Sequence, residues 1–343
     1  MRRKIFISSL LILAGIFSLY VAPIPEQEKT GFAMNTIIRI MIYSRDNNLL
    51  DDAYKLLARL DNELSMYNKS SDISQINILS GQKKFSTSHE VIEVVKASRK
   101  LYDLTEGVFN PLIGAVTRLW KINTGDKILP SRESLDIAIN LSDINNLEIN
   151  DNENSIFLRG RGCVLDLGGI AKGFASEKIS DMLKTRGVKS GIIDLGGNIY
   201  AIGLKNDGQK WNIGVRDPLE PSGSPALVLS VRDSAVITSG NYERYKIIDG
   251  KRFSHFFDPK TGESIQSDLL SVTIITPDGS LADGLATAFM ITGSERAIKL
   301  SRKITPSPGI ILIRQDSNNA PEILASNNIK DSIKRNKYPV KIF

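Results

Sequence analysis

Asp283 and Thr287 lie four residues apart in the apolar stretch SLADGLATAFMITG (280–293). On a helix that spacing stacks the two side chains on one face. A carboxylate and a hydroxyl so placed can offer oxygens to one Mg²⁺, which takes one or two carboxylates and completes its shell with water and phosphate oxygens. Each residue also has an ordinary structural use. With Ser280 as N-cap, Asp283 falls at N3, where a carboxylate bonds back to the cap and favours the helix dipole. The Thr287 hydroxyl can bond the carbonyl one turn earlier.

A second candidate is LDLGGIAKG (165–173). Glycines between a strand and a helix free the backbone for close approach to a ligand, and the helix N-terminus that follows suits phosphate. Lys172 adds a point charge and Asp166 an acceptor. The stretch matches neither GxGxxG nor the P-loop pattern, so a glycine turn with a solvated lysine is the competing reading. The tetrad recurs 28 residues on, in IDLGGNIYAIG (193–203), where Asp194 can cap its own turn. His255 stands among Phe253, Phe256 and Phe257. Histidine is the commonest acid/base residue, although one among aromatics can equally be a satisfied core side chain. DPKTG (258–262) reads as a turn.

These residues need elements to hold them. TIIRIMIY (36–43) has the β-branched content of a strand. Residues 49–64 carry a helical apolar stripe of Ala53, Leu57, Leu60 and Leu64. Thr87 and Glu90 form a capping-box pattern before a second helix, with Val91, Val95, Ser98, Tyr102 and Thr105 as its stripe. Residues 118–150 read as a polar surface excursion, and 174–186 as the helix between the two tetrads. Strand patterns follow at WNIGV, ALVLSV, SAVITS and SVTIIT. Strands and helices without strict βαβ alternation predict an α+β fold of mixed sheets with flanking helices. Two tetrads without a third copy exclude a solenoid.

The 343 residues are 41% hydrophobic and 24% charged, an ordinary globular balance. Net charge is +6, and Arg2, Arg3 and Lys4 supply three of it, leaving +3. That is too little to argue for nucleic acid, and the basic C-terminal run KRNKYPVK reads as a solvated tail. Cys163 is the single cysteine, and His89 and His255 are the only histidines. A disulfide framework, a cysteine metal cluster and a histidine-rich zinc site are therefore excluded. MRRK precedes an uncharged apolar run from Ile5 to Ala22, then Pro23 and Pro25. This is an export signal, read as a membrane anchor or a cleaved signal peptide over residues 1–24. It puts the body, 25–343, on the extracytoplasmic, periplasmic side of the inner membrane, anchored or released.

Eight stretches, in order, resemble the ApbE family of FAD:protein FMN transferases. They are MNT (34–36), ELSMYNKSSDISQIN (63–77), TEGVFNPLIGAVTRLW (105–120), DLGGIAKGFASEKI (166–179), DLGGNIYAIG (194–203), TSGNYERY (238–245), SHFFDPKTGE (254–263) and ADGLATAFMITG (282–293). The resemblance spans about residues 31–300. It implies a T-fold-like α+β domain that binds FAD between two lobes and uses Mg²⁺ to cut its pyrophosphate. FMN then passes to a Thr or Ser hydroxyl of a partner protein, and AMP leaves. Met34, Tyr67, Val108, Phe109, Asn110, Asp166, Lys172 and His255 are implied to bind FAD. Gly169, by its carbonyl, Asp283 and Thr287 are implied to hold the metal. His255 falls in the family's SH-x-x-DP motif and is the candidate base for the acceptor hydroxyl, with an Asp as the alternative; an unperturbed imidazole titrates near 6.5.

Two positions depart from the family. Asn35 stands where glycine is usual; asparagine tolerates positive φ best among the other residues. Asn110 stands where aspartate is usual, keeping an acceptor but no charge. The implied acceptor is an FMN-carrying extracytoplasmic subunit of a membrane redox complex, of the NADH:quinone reductase or Rnf type. The competing functions are an FAD pyrophosphatase, with water in place of the acceptor hydroxyl, and an exported flavin-binding protein without catalysis.

Overall fold

A computed structural model of the chain describes residues 23–343 except 123, 125 and 221. The signal or anchor expected over residues 1–24 lies outside the described residues up to Ala22. Among the described residues no helix is long and apolar enough to cross a membrane.

A nine-stranded sheet organises the chain. Its strands run, in spatial order, Glu26–Ala33, Thr36–Tyr43, Ser190–Leu195, Ile199–Gly203, Ser234–Gly240, Leu269–Thr276, Gly309–Gln315, Pro321–Ala325 and Val340–Ile342. All neighbours are antiparallel except the last pair. Strand Gly309–Gln315 (GIILIRQ) shows why its apolar run is unbroken. Side chains alternate across a strand, and here both faces are covered. Ile310 and Leu312 face a helical layer, while Ile311 and Ile313 face a three-stranded sheet built on Trp211–Arg216, Pro225–Val231 and Ile333–Asn336. The result is three layers: helices, large sheet, small sheet.

The helical layer contains Leu49–Leu64, His89–Leu104, Ala171–Thr185 and Gly279–Thr292. Ala53, Leu57, Leu60 and Leu64 are buried, as the stripe predicts. The capping box expected at Thr87 is displaced by one residue. Ser88 is the N-cap, its hydroxyl accepting from the Val91 N–H at 3.3 Å, while Thr87 donates to Asp72. The helix between the tetrads begins at Ala171, three residues earlier than its apolar pattern.

With 127–133 mostly exposed, residues 118–150 are a surface excursion only in part. They contain helix Arg132–Leu141, whose Leu135 and Ala138 pack with Val116, Trp120 and Phe257 in a separate apolar cluster. Trp120 stacks on Phe257 at 5.6 Å and leans on Phe253 at 5.4 Å. Buried Lys246 ties the segment down, its Nζ donating to the carbonyls of Trp120 (2.7 Å) and Ile128 (3.1 Å). Lys246 belongs to the hairpin of Tyr245–Ile248 and Lys251–Ser254, which leads directly into His255.

Candidate active site

Helices Ala171–Thr185 and Gly279–Thr292 cross through paired glycines. A Cβ on Gly173 would lie 2.1 Å from the Gly279 carbonyl oxygen, and one on Gly279 would lie 2.4 Å from that of Gly173. Backbones this close bring Asp283 onto the neighbouring helix, where its carboxylate accepts from the Gly173 N–H at 2.8 Å and from Asn198 Nδ2 at 3.4 Å. One turn on, the Thr287 hydroxyl donates to the Gly169 carbonyl at 3.4 Å.

The expected capping of this helix is corrected. Asp278 is the N-cap, accepting from the Leu281 N–H at 2.7 Å. The Ser280 N–H goes to Glu177, at 3.2 Å. Asp283 is thereby free of any capping duty in its own helix. The phosphate reading of DLGGIAKG changes too. No strand precedes the turn, only a single bridge from Val164 to Ile113. At the start of the helix the Ala171 N–H pairs with Leu167 and the Gly173 N–H with Asp283. The positive end of that helix therefore already faces a carboxylate of the protein. Asp166 stabilises its own turn, accepting from the Gly168 N–H (2.9 Å) and the Thr117 hydroxyl (3.0 Å).

Asp283 is 4% exposed, and burial pushes its carboxyl up from the ordinary range. Lys172 and the Gly173 N–H pull in the opposite direction. The nearby donors are all oxygens: one carboxylate, one hydroxyl and one backbone carbonyl. Among the described residues no cluster of three His, Cys, Asp or Glu could hold a metal. The set therefore fits a hard cation that keeps water and phosphate ligands, as Mg²⁺ does, and not Zn²⁺.

These groups open on a cavity of about 410 Å³, a size usual for small-molecule sites. Tyr67, Val108, Phe109, Asn110, Asp166, Gly169, Lys172, His255, Asp283 and Thr287 all line it. Tyr67 is 73% exposed, an aromatic face at the rim. Val108 and Phe109 are buried, with the Phe109 N–H held by the Thr105 hydroxyl at 2.9 Å. Asn110 uses both ends of its amide: Nδ2 donates to the Ser142 carbonyl (2.8 Å) and Oδ1 accepts from the Leu112 N–H (2.9 Å). A carboxylate there could not donate to Ser142.

Met34 is the one candidate outside the lining. It sits in the hairpin turn before Thr36–Tyr43, its N–H donating to Asp61 at 2.9 Å. Met34 and Asn35 have φ of 47° and 58°, the conformation a two-residue type I′ turn requires, so asparagine serves where the family has glycine.

His255 is half-buried beside Phe256, ring centroids 4.1 Å apart. Its Nδ1 lies 3.0 Å from the Arg244 carbonyl oxygen. A carbonyl only accepts, so Nδ1 carries the proton and Nε2 keeps its lone pair. Burial lowers its pKa from 6.5 to about 4, with Arg244 and Lys172 adding repulsion against the bond to Arg244. The imidazole is therefore neutral well below the pH at which a free histidine would protonate.

Asn198, Glu243 and Arg244 are among the cavity residues to which the sequence analysis assigns no role. Asn198 follows the second DLGG tetrad, whose Asp194 caps its turn by accepting from the Gly197 N–H at 2.7 Å. That echo was the available signal for Asn198. Glu243 and Arg244 come from TSGNYERY, and nothing in their spacing marks them.

Fold and site together define the class: an α+β protein with a deep cleft between its helical layer and the hairpin that carries His255. Residues 34–311 match the sequence model of the ApbE family, and the chain belongs to that family. It is 32% identical over 307 residues to the FAD:protein FMN transferase of Treponema pallidum, covering 84% of each chain. To the FAD:protein FMN transferase of Vibrio cholerae it is 29% identical, over 90% of this chain and 93% of the other. The solved structure of the flavin transferase ApbE from Vibrio cholerae superposes with a TM-score of 0.80 at 27% identity, covering 90% of this chain and all of that one. The ApbE protein of Thermotoga maritima gives 0.82 at 27% identity, over 91% of this chain and 100% of the other.

Proposed function

We propose that this chain is an FAD:protein FMN transferase that moves FMN from FAD to a Thr or Ser hydroxyl of an acceptor protein and releases AMP. The observation that carries the reading is the approach of the Thr287 hydroxyl to the Gly169 carbonyl, at 3.4 Å, in a cavity that Asp283, His255 and Lys172 also line. Membership of the ApbE family and the relatives' activity support it. The acceptor O–H loses its proton to His255 Nε2. The freed oxygen forms a bond to the FMN phosphorus, the P–O bond to AMP breaks, and AMP departs with the negative charge. Phosphoryl transfer of this kind depends on positioning and charge neutralisation. Tyr67, Val108 and Phe109 supply apolar surface for the flavin, and Lys172 a positive charge near the phosphates. Met34, Asn110 and Asp166 complete the flavin-binding set by holding the turns around it. Asp283, Thr287 and the Gly169 carbonyl would hold Mg²⁺. When bound, it would neutralise charge building on the pyrophosphate.

On this reading residues 25–343 act as one transferase unit on the periplasmic side of the inner membrane, behind an N-terminal signal or anchor. The acceptor is an FMN-binding subunit of a membrane redox complex of the NADH:quinone reductase or Rnf type. Purified protein, FAD, Mg²⁺ and a candidate FMN-binding domain form the test. Flavin fluorescence that stays on the acceptor through denaturation supports transfer. Free FMN and AMP with an unlabelled acceptor would identify a pyrophosphatase instead, and no turnover a flavin-binding protein.

A further inference from the structure

Each of the two crossing helices carries a glycine and, four residues later, a carboxylate: Gly173 and Glu177 on one, Gly279 and Asp283 on the other. That spacing puts glycine and carboxylate on one face. The glycines touch, and each carboxylate reaches the amino end of the opposite helix. Asp283 accepts from Gly173 N–H (2.8 Å). Glu177 Oε2 accepts from Gly279 N–H (3.0 Å), Ser280 N–H (3.2 Å) and the Ser280 hydroxyl (3.3 Å). The arrangement is reciprocal, and both carboxylates satisfy N–H groups that a helix start leaves unpaired.

The two halves differ in what they leave over. Glu177 commits one oxygen to three donors outside the cavity lining. Asp283 commits Oδ2 to Gly173 and lines the cavity. Sliding or rotation of one helix against the other would strain the Glu177 bonds and the Asp283–Gly173 bond together. It would also change the 3.4 Å approach of Thr287 to Gly169, because Thr287 rides on one helix and Gly169 leads into the other. We infer that Glu177 is a positioning residue for the Gly169–Asp283–Thr287 oxygen set, fixing the register of the two helices so that the three oxygens suit one Mg²⁺. This rests on the metal assignment proposed above. Residues that orient metal ligands typically change metal affinity about 10- to 100-fold when removed.

The test follows the melting temperature of the full chain as MgCl₂ is titrated in the presence of ADP, which carries a pyrophosphate but no flavin to transfer. Glu177→Ala is expected to raise the half-saturating Mg²⁺ concentration at least about 10-fold. Glu177→Gln, which keeps an acceptor oxygen, restores a near wild-type midpoint. Asp278→Ala removes the helix N-cap but not the clasp, so it lowers the metal-free melting temperature and leaves the midpoint in place. Where Glu177→Ala leaves the chain unfolded, Glu177→Leu keeps the buried volume and reads the same quantity. A wild-type midpoint in Glu177→Ala or Glu177→Leu overturns the proposal, as does an equal shift in Asp278→Ala. A wild-type chain that shows no Mg²⁺ response removes the metal assignment itself, and the role of Glu177 falls with it.

Discussion

Gly173→Ala tests the helix crossing that builds the site. The new methyl would start 2.1 Å from the Gly279 carbonyl oxygen and 2.7 Å from Asp283 Cβ. Carbon and its neighbours rest at about 3.5 Å, so the helices must separate by about 1 Å at the crossing. The obstacle is backbone, which cannot swing aside as a side-chain tip can. A 1 Å separation stretches the 2.8 Å bond from Gly173 N–H to Asp283 beyond hydrogen-bonding range. It also carries Thr287 away from Gly169. Overpacking of this kind costs about 1–3 kcal/mol of stability, and a displacement of about 1 Å at a reacting centre costs about 100-fold in rate. The substitution should leave a folded chain with a lowered urea midpoint and an FMN-transfer rate down about 100-fold. Covalent flavin fluorescence on the acceptor, at saturating FAD and Mg²⁺, measures the rate. A folded Gly173→Ala chain that transfers FMN at the wild-type rate would refute the claim that this crossing sets the geometry.

Three more outcomes follow from the same site. Burial raises the Asp283 pKa, so the folded state binds that proton more tightly than the unfolded chain, and the ionised carboxylate costs stability above its ordinary range. Asp283→Asn should keep or raise the melting temperature without metal, abolish the rise produced by Mg²⁺, and cut transfer at least about 100-fold. His255 runs the other way: its pKa falls from 6.5 to about 4. The stability it contributes is complete above 6.5 and is lost as pH falls towards 4. His255→Ala should flatten the fall in melting temperature across that window, and wild-type kcat/KM should show no acid limb near 6.5. Asn110→Asp restores the residue usual in the family yet removes the donor to the Ser142 carbonyl. It should lower stability by about 1–3 kcal/mol, read as a lower urea midpoint with an unchanged slope.

Local pattern predicted much of the architecture. Strand Thr36–Tyr43 and helix Leu49–Leu64 match their sequence boundaries because each is declared by neighbours along the chain: β-branched residues in one, a buried stripe at helical spacing in the other. Capping was legible only to within a residue or two. Thr87 and Ser88 both have a hydroxyl in reach of a helix start, and Thr87 was claimed by Asp72, fifteen residues away. The helix at 132–141 was hidden because its buried side, Leu135 and Ala138, is completed by Trp120 and Phe257 from elsewhere in the chain.

The sequence alone determined the candidate chemistry: a carboxylate and a hydroxyl one helical turn apart, a glycine-rich turn with a lysine, a histidine among aromatics, and an ordered set of motifs resembling the ApbE family. Spacing within an element is enough for that, since four residues on a helix share a face whatever surrounds them. Tertiary structure decided which oxygens meet and what charge they carry. Gly169 and Thr287 are 118 positions apart in the chain yet 3.4 Å apart in space, because the helices that carry them cross closely at Gly173 and Gly279. The same packing brought Glu177 to the start of the Gly279–Thr292 helix. It also turned the phosphate-friendly helix start towards Asp283, and burial kept His255 neutral. Proximity across the chain and removal of water are properties of the assembled interior, and no local window of residues contains them.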